Sequence, residues 1–274
     1  MTEKNVNWIW GYHSVEACLE NFPELIQEIL VETNEGDKPI SKQQNRSAES
    51  SATSGLDQNF EKLVQNNGLK INRVKSLPRI FTEKRTQGVV AKISEFPEKT
   101  FSEIEEDFLN SENTGQWVLL DGIQDPRNFG AIIRSAAAFH VRGVFYPLRN
   151  QTKPSGLVAQ ASAGNIFRVP LIACPTFHPI WKVLPEAPVR MLALDADGLP
   201  IQQVVPSARE QLSVLWVLGS EGEGIRPQIR EKCHAVAMIP IREDVESLNA
   251  SVAASLAFYI AARKLDSEKS SEKV

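Results

Sequence analysis

The chain has 274 residues, 42% of them hydrophobic and 23% charged, the balance of a globular protein with a sizeable core in one large domain or two ordinary ones. A formal net charge of −4 excludes a whole-molecule attraction to nucleic acid, so any RNA contact must come from a local patch. Three scattered cysteines, Cys18, Cys174 and Cys233, exclude a disulfide framework, and the Cys233-His234 pair lacks the partners of a metal set.

The first residues, Met1-Thr2-Glu3-Lys4-Asn5, open no apolar or Arg-rich segment, and no run approaches the ~20 apolar residues of a membrane span. The expectation is a cytoplasmic protein with reduced thiols, no metal and no membrane association. Residues 1–94 read as a small α/β unit. Helical apolar spacing begins at Gly11-Tyr12-His13-Ser14-Val15, and a strand follows over 26–31. Residues 34–59, rich in Ser, Gln, Gly and Pro, read as a flexible insertion. A helix over 60–67 and strands over 69–74 and 88–93 complete the unit. Its basic residues Arg73, Lys75, Arg79, Lys84, Arg85 and Lys92, together with Arg127 further on, are candidate phosphate contacts.

Residues 95–114, with Glu103, Glu105, Glu106 and Asp107, read as a solvated acidic linker carrying a short helix. Beyond it, strands and helices alternate: strand 116–121, helix 130–140, strand 143–146, helix 156–163, strand 166–169, helix 176–184, strands 190–194, 213–218 and 235–239, and helix 249–265. Such alternation predicts a mostly parallel sheet covered on both faces, with ligands bound outside the carboxyl ends of its strands. Residues 267–274 read as a disordered tail.

Three segments of this second unit carry chemistry. In Asn128-Phe129-Gly130-Ala131-Ile132-Ile133-Arg134, the spacing puts Arg134 on the first or second turn of a helix. A cation is poorly placed at that positive end unless something anionic or electron-rich faces it. Gly219-Ser220-Glu221-Gly222-Glu223-Gly224 follows a strand and permits close main-chain approach to a ligand. Its spacing is neither the dinucleotide fingerprint nor a phosphate loop, and Ser220 is not in a G-x-S-x-G elbow. Met238-Ile239-Pro240-Ile241 leads to Ser247-Leu248-Asn249, where Ser247 or Asn249 can cap a helix of small residues.

In this order and spacing, the three segments resemble the motifs of the SpoU/TrmH (SPOUT) family of RNA ribose 2′-O-methyltransferases, over residues 117–265. Gly11-Tyr12-His13-Ser14-Val15 and Thr86-Gln87-Gly88-Val89-Val90-Ala91 are similar to the start and end of the substrate-binding domain found in its bacterial 23S rRNA guanosine branch. The chain departs from the family pattern in the 34–59 insertion and in Arg242-Glu243-Asp244.

The resemblance implies an α/β catalytic domain over 115–266, a mostly parallel sheet with a deep trefoil knot, preceded by a small α/β RNA-binding domain. It implies S-adenosylmethionine as methyl donor, a guanosine 2′-hydroxyl of large-subunit rRNA as acceptor, and a homodimer with the active site at the subunit interface. Gly219, Ile239 and Leu248 would contact the donor. Arg134 would act at the hydroxyl, with Asn128, Glu221, Ser247 and Asn249 orienting the reactants, and Arg73, Lys84, Arg85 and Arg127 would hold RNA. A guanidinium resists deprotonation, so Arg134 suits stabilisation of a developing alkoxide better than base action. A tRNA ribose methyltransferase and a non-catalytic RNA-binding or ribosome-assembly factor are the alternative functions.

Overall fold

The computed structural model describes residues 7–33, 58–112, 114–220 and 222–266. The tail at 267–274 and most of the expected insertion, 34–57, lie outside them. The end of that insertion is helical instead: Gln58 and Asn59 open a helix that buries Phe60 and Val64.

The first unit is a four-stranded sheet built from β1 (Asn7–Trp10), α1 (Tyr12–Asn21), β2 (Ile26–Glu32), α2 (Gln58–Asn66), β3 (Ile71–Val74) and β4 (Val89–Ile93), in the order β1-β4-β2-β3. β4 lies antiparallel to both β1 and β2, while β2 and β3 are parallel. Buried Val89, Val90, Ala91 and Ile93 make β4 a near-continuous apolar run, as a strand covered on both faces requires.

The expected solvated linker packs against the second sheet. The short helix α3 (Glu105–Leu109) is present, but Phe101, Ile104 and Phe108 are buried and Phe108 meets Trp117 and Phe145 edge-on. Apolar residues at three- and four-residue spacing had been hidden by the acids between them, which face outward.

The second unit comprises β5 (Gln116–Asp121), α4 (Pro126–Ala138), β6 (Val141–Pro147), α5 (Gly156–Ala161), β7 (Leu171–Cys174), α6 (His178–Val183), β8 (Val189–Pro200), α7 (Ile201–Val204), β9 (Ser213–Gly219), α8 (Pro227–Arg230), β10 (Ala235–Met238) and α9 (Ala250–Asp266). Six parallel strands run in the order β10-β8-β9-β5-β6-β7. β5 alternates its apolar side chains between two cores. Val118 and Leu120 join Trp216, Phe129 and Phe258 on one face, and Trp117 and Leu119 join Leu215 and Val217 on the other. Gln116, buried mid-sheet, donates to the Phe258 carbonyl (3.0 Å) and accepts from Trp216 Nε1 (3.0 Å), tying β5, β9 and α9 together. Both ends of its buried amide thereby have partners.

The strand expected over 166–169 is a 3₁₀ turn, Asn165–Phe167, and the strand starts only at Leu171. Ile166, Phe167 and Val169 are buried as the apolar pattern suggests, but Pro170 has no amide to give a sheet ladder at their end. The two units share one core. A Cβ on Gly156 would fall 2.1 Å from the Trp8 carbonyl and the Trp10 ring, and one on Gly164 2.3 Å from the His13 carbonyl. Arg168 pairs with Glu20 across the same contact at 2.8 Å.

Candidate active site

Register sets the floor of the site. β5 and β9 pair so that Asp121 lies opposite Gly219 at their carboxyl ends. Asp121 is buried, and its carboxylate accepts from the Arg226 amide (2.8 Å) and Nε (2.7 Å), with Nη2 at 2.6 Å. Burying a carboxylate is costly unless donors of this kind replace the water it loses. The clamp holds the end of the glycine loop against β5.

Inside that loop, Ser220 and Gly224 exchange amide–carbonyl bonds of 3.1 and 3.0 Å, and Ser220 Oγ accepts from the Glu223 amide at 3.1 Å. A Cβ on Gly219 would sit 2.1 Å from the Gly224 carbonyl carbon, so the closure demands glycine. Gly224 has φ +67°, the left-handed region.

Two clefts flank this loop and share Ser220 and Gly224 as their common wall. The first, of about 480 Å³, is lined by Leu194, Leu218, Gly219, Ile225, Ile239 and Leu248, with Asp195, Ser247 and Asn249 as polar members. The second, of about 560 Å³, is polar and includes Asp125, Asn128, Arg149, Asn150, Glu223 and Arg226.

The first and third motifs meet between the clefts. Asn249 Oδ1 accepts from the Ser251 amide (2.9 Å) and hydroxyl (2.6 Å), capping α9, which leaves Nδ2 to donate to Asn128 Oδ1 at 3.1 Å. Of the two capping candidates, Asn249 is the one that caps; Ser247 lines the first cleft. One turn along, Ser255 Oγ donates to the Ser251 carbonyl and so accepts from Ser135 at 2.7 Å, locking α4 to α9.

Gly219, Ile239 and Leu248 thus share one cleft, with Ser247 and Asn249 on the same wall and Asn128 across the loop. Glu221 lies outside the described residues. Arg134 departs from expectation. α4 begins at Pro126 behind the cap Asp125, whose side chain accepts from the Arg127 amide at 2.8 Å. Arg134 therefore lies past the helix midpoint, and the N-terminal dipole argument does not apply to it. The Asp-Pro pair is a standard helix opening, and it sets the helix start four residues ahead of the expected residue 130. Arg134 is exposed and lines neither cleft. It follows Asn128 by six residues, about 9 Å along the axis and about 240° around it.

The basic candidates are dispersed. Arg73 is paired with Glu61. Lys84 Nζ sits 4.1 Å over the Trp10 ring, and the Arg85 carbonyl accepts from Gln160 at 2.8 Å while its side chain is exposed. Arg127 is exposed on the first turn of α4 beside Asn128. Sequence reasoning missed Asp121, Asp195, Arg149 and Arg226 as site residues. Asp121 and Arg149 stand at or just beyond the ends of β5 and β6 and Arg226 in the glycine loop's continuation, and that position was the available signal; Asp195 lies within β8 and had none. Among the described residues, no cluster of three His, Cys, Asp or Glu could hold a metal ion, and no helix is long and apolar enough to cross a membrane.

Residues 116–259 match the model of a family described as the SpoU rRNA Methylase family. The 23S rRNA (guanosine-2′-O-)-methyltransferase RlmB of Xylella fastidiosa is 31% identical over 268 residues, covering 96% of this chain and 98% of that protein. Its namesake from Xanthomonas campestris pv. campestris is 28% identical over 266 residues, covering 96% and 98%. Among solved structures, the SpoU methyltransferase AviRb from Streptomyces viridochromogenes in complex with the cofactor AdoMet superposes with a TM-score of 0.71 at 19% identity, covering 96% of this chain and 91% of that one. That likeness is one of fold.

Proposed function

The chain belongs to the SpoU rRNA methylase family, and from that premise we propose that it transfers a methyl group from S-adenosylmethionine to the 2′-hydroxyl of a guanosine in large-subunit rRNA. One observation carries the reading: residues of all three motifs build two adjoining clefts across a single loop, joined by the Asn128–Asn249 bond.

The first cleft fits the donor. Its aliphatic walls, Leu194, Leu218, Ile225, Ile239 and Leu248, suit a flat adenine, and its volume of about 480 Å³ is that of a nucleoside-sized site. The clearance around Gly219 lets main chain line it closely. S-adenosylmethionine, when bound, supplies an electrophilic methyl on a sulfonium. The protein's share is to align the acceptor oxygen with that methyl, which is worth several kcal/mol of barrier, and to ease loss of the hydroxyl proton. Asn128 and Asn249 hold the boundary between the clefts, and Ser247 offers a hydroxyl on the donor side. A guanidinium at the ribose stabilises the oxygen as negative charge develops.

Arg134 is exposed and lines neither cleft of its own chain, and we read its guanidinium as serving the ribose at the site of a second copy. We therefore read the protein as a homodimer. Val252, Leu256 and Tyr259 form an exposed apolar row on α9, beside Ser135 of α4 and Phe139 at its C-terminal cap, which pack against α9. The second unit is read as the family's deep trefoil knot, residues 1–94 as the RNA-binding domain with Arg73, Lys84 and Arg85, together with Arg127, as phosphate contacts, and the protein as cytoplasmic.

Nucleoside mass spectrometry with mapping of 2′-O-methyl sites, in cells with and without the gene, tests the reading. Loss of one 2′-O-methylguanosine from large-subunit rRNA is expected. Loss confined to tRNA would overturn the substrate, and loss of none would return the protein to a non-catalytic RNA-binding or assembly role.

A further inference from the structure

The donor accounts for the first cleft and leaves the second, polar one without a ligand. Its walls are the loops that follow three neighbouring strands, β6, β5 and β9. They are fastened to one another. The Ile123 amide donates to Gln151 Oε1 at 2.7 Å, the Thr152 amide to the Ile123 carbonyl at 3.0 Å, and the Thr152 hydroxyl to the Gln124 carbonyl. Gly122, at φ +89°, sits where a Cβ would lie 3.5 Å from the Asn150 carbonyl and 3.7 Å from Ser220 Cβ, so all three loops converge on it. A pocket on loops pinned in this way is formed before a ligand arrives.

Its charges are of two kinds. The Asp121 and Arg226 charges satisfy each other, and Asp125 is spent as the cap of α4. Arg149 and Glu223 remain, one on the β6 loop and one on the glycine loop. Both are exposed, and neither has an ion pair among the described residues. A cation and a carboxylate set on opposite walls of a nucleotide-sized polar cleft match a phosphate and a base edge. Guanine alone among the RNA bases presents two adjacent N–H donors, N1–H and the 2-amino group, to a single carboxylate. Arginine suits a phosphate.

Resting on the methyl-transfer reading, we propose that this cleft seats the acceptor nucleotide, with Glu223 selecting guanine through its Watson–Crick edge and Arg149 gripping an adjoining phosphate. The ribose then lies toward the shared Ser220–Gly224 wall, beside Asn128 and facing the donor cleft.

Ligand-observed NMR titrations of the full chain, saturated with S-adenosylhomocysteine to fill the donor cleft, test this with GMP, guanosine, AMP, CMP and UMP. GMP should bind best. Glu223→Gln should weaken GMP by roughly tenfold and bring it level with AMP. Arg149→Ala should erase the advantage of GMP over guanosine, and Arg149→Lys should restore part of it. Calorimetry should show S-adenosylhomocysteine affinity unchanged in all three variants, which also checks that they fold. Binding of no mononucleotide, equal binding of all, or preferences unmoved by these substitutions would overturn the proposal. A guanine preference that follows the variants, in a protein that places no methyl on protein-free large-subunit rRNA, would sink the proposed function and leave the pocket standing.

Discussion

Asn249 donates to Asn128 across 3.1 Å with the same side chain whose oxygen caps α9, so one amide fixes both the entry of the last helix and the seam between two clefts. Its two ends are separable. Asn249→Asp keeps the capping oxygen and turns a carboxylate toward Asn128 Oδ1; urea unfolding should stay near wild type while methyl transfer falls at least about tenfold. Asn249→Ala loses both and should cost about 1 kcal/mol of stability as well. Equal stability losses in the two variants would show that the cap is not what Asn249 supplies.

Gly219 and Gly222 lie three residues apart in one loop and should respond oppositely to alanine. A Cβ on Gly219 meets the Gly224 backbone at 2.1 Å, whereas one on Gly222 meets nothing within 4 Å. Backbone cannot rotate aside as a side chain can. Gly219→Ala should therefore open the loop and abolish donor binding by calorimetry, and Gly222→Ala should leave it within about twofold, a surface-type change. Loss of binding in both would mean that the loop's mobility, not this one close approach, governs the cleft.

How far the site could be read beforehand follows from where its information lies. Gly219, Ile239 and Leu248 came from the family resemblance, which rests on motif order, and all three line one cleft. The Asn128–Asn249 bond joins residues 121 positions apart, and no periodicity reports such a pairing. The expected early-turn place of Arg134 fails because Asp125-Pro126, a pair equally at home in a turn, opens the helix. The burial of Phe101 and Phe108 was masked by the acids around them. Local pattern thus named most of the elements, while contacts made across the sheet's carboxyl edge, such as Asp121 with Arg226, had no local signature.

That last pair should be costly to break. Asp121 is 2% exposed at its side chain and Arg226 56%, so deleting the guanidinium strands a buried carboxylate while releasing a half-solvated partner. Arg226→Ala should destabilise by about 2 kcal/mol, below the span for a fully buried pair because the Arg226 amide still donates. Replacing both, as Asp121→Asn with Arg226→Ala, should recover part of the loss in chemical denaturation. A double variant as unstable as the sum of the singles would refute the coupling.

The cysteines should be inert in the folded protein. Burial pushes the thiols of Cys18, Cys174 and Cys233 up to about 12. Only the thiolate reacts, and with a pKa raised this far the thiolate is lost, not gained, at neutral pH; at pH 8 it amounts to about one part in ten thousand. A thiol reagent at pH 8 should label none of the three quickly in native buffer and all three in urea. Rapid native labelling of Cys233, which is the least buried of them, would show that the α8 end opens in solution.

Arg134 decides whether one chain suffices for catalysis. It lines neither cleft of its own subunit, so Arg134→Ala should abolish transfer while donor affinity stays within about tenfold. Leu248→Glu, on the wall of the donor cleft, should abolish donor binding instead. Neither variant is active alone, whether Arg134 serves its own subunit or the partner. Mixed by co-expression, they separate the two cases. If Arg134 serves the partner, a heterodimer carries one site with an intact donor cleft and a borrowed arginine, and random pairing restores about a quarter of wild-type activity. If Arg134 serves its own chain, every site lacks one component and activity stays at background. A flat mixture with intact heterodimers by native mass spectrometry would place Arg134 back at its own cleft and require α4 to rearrange when RNA binds.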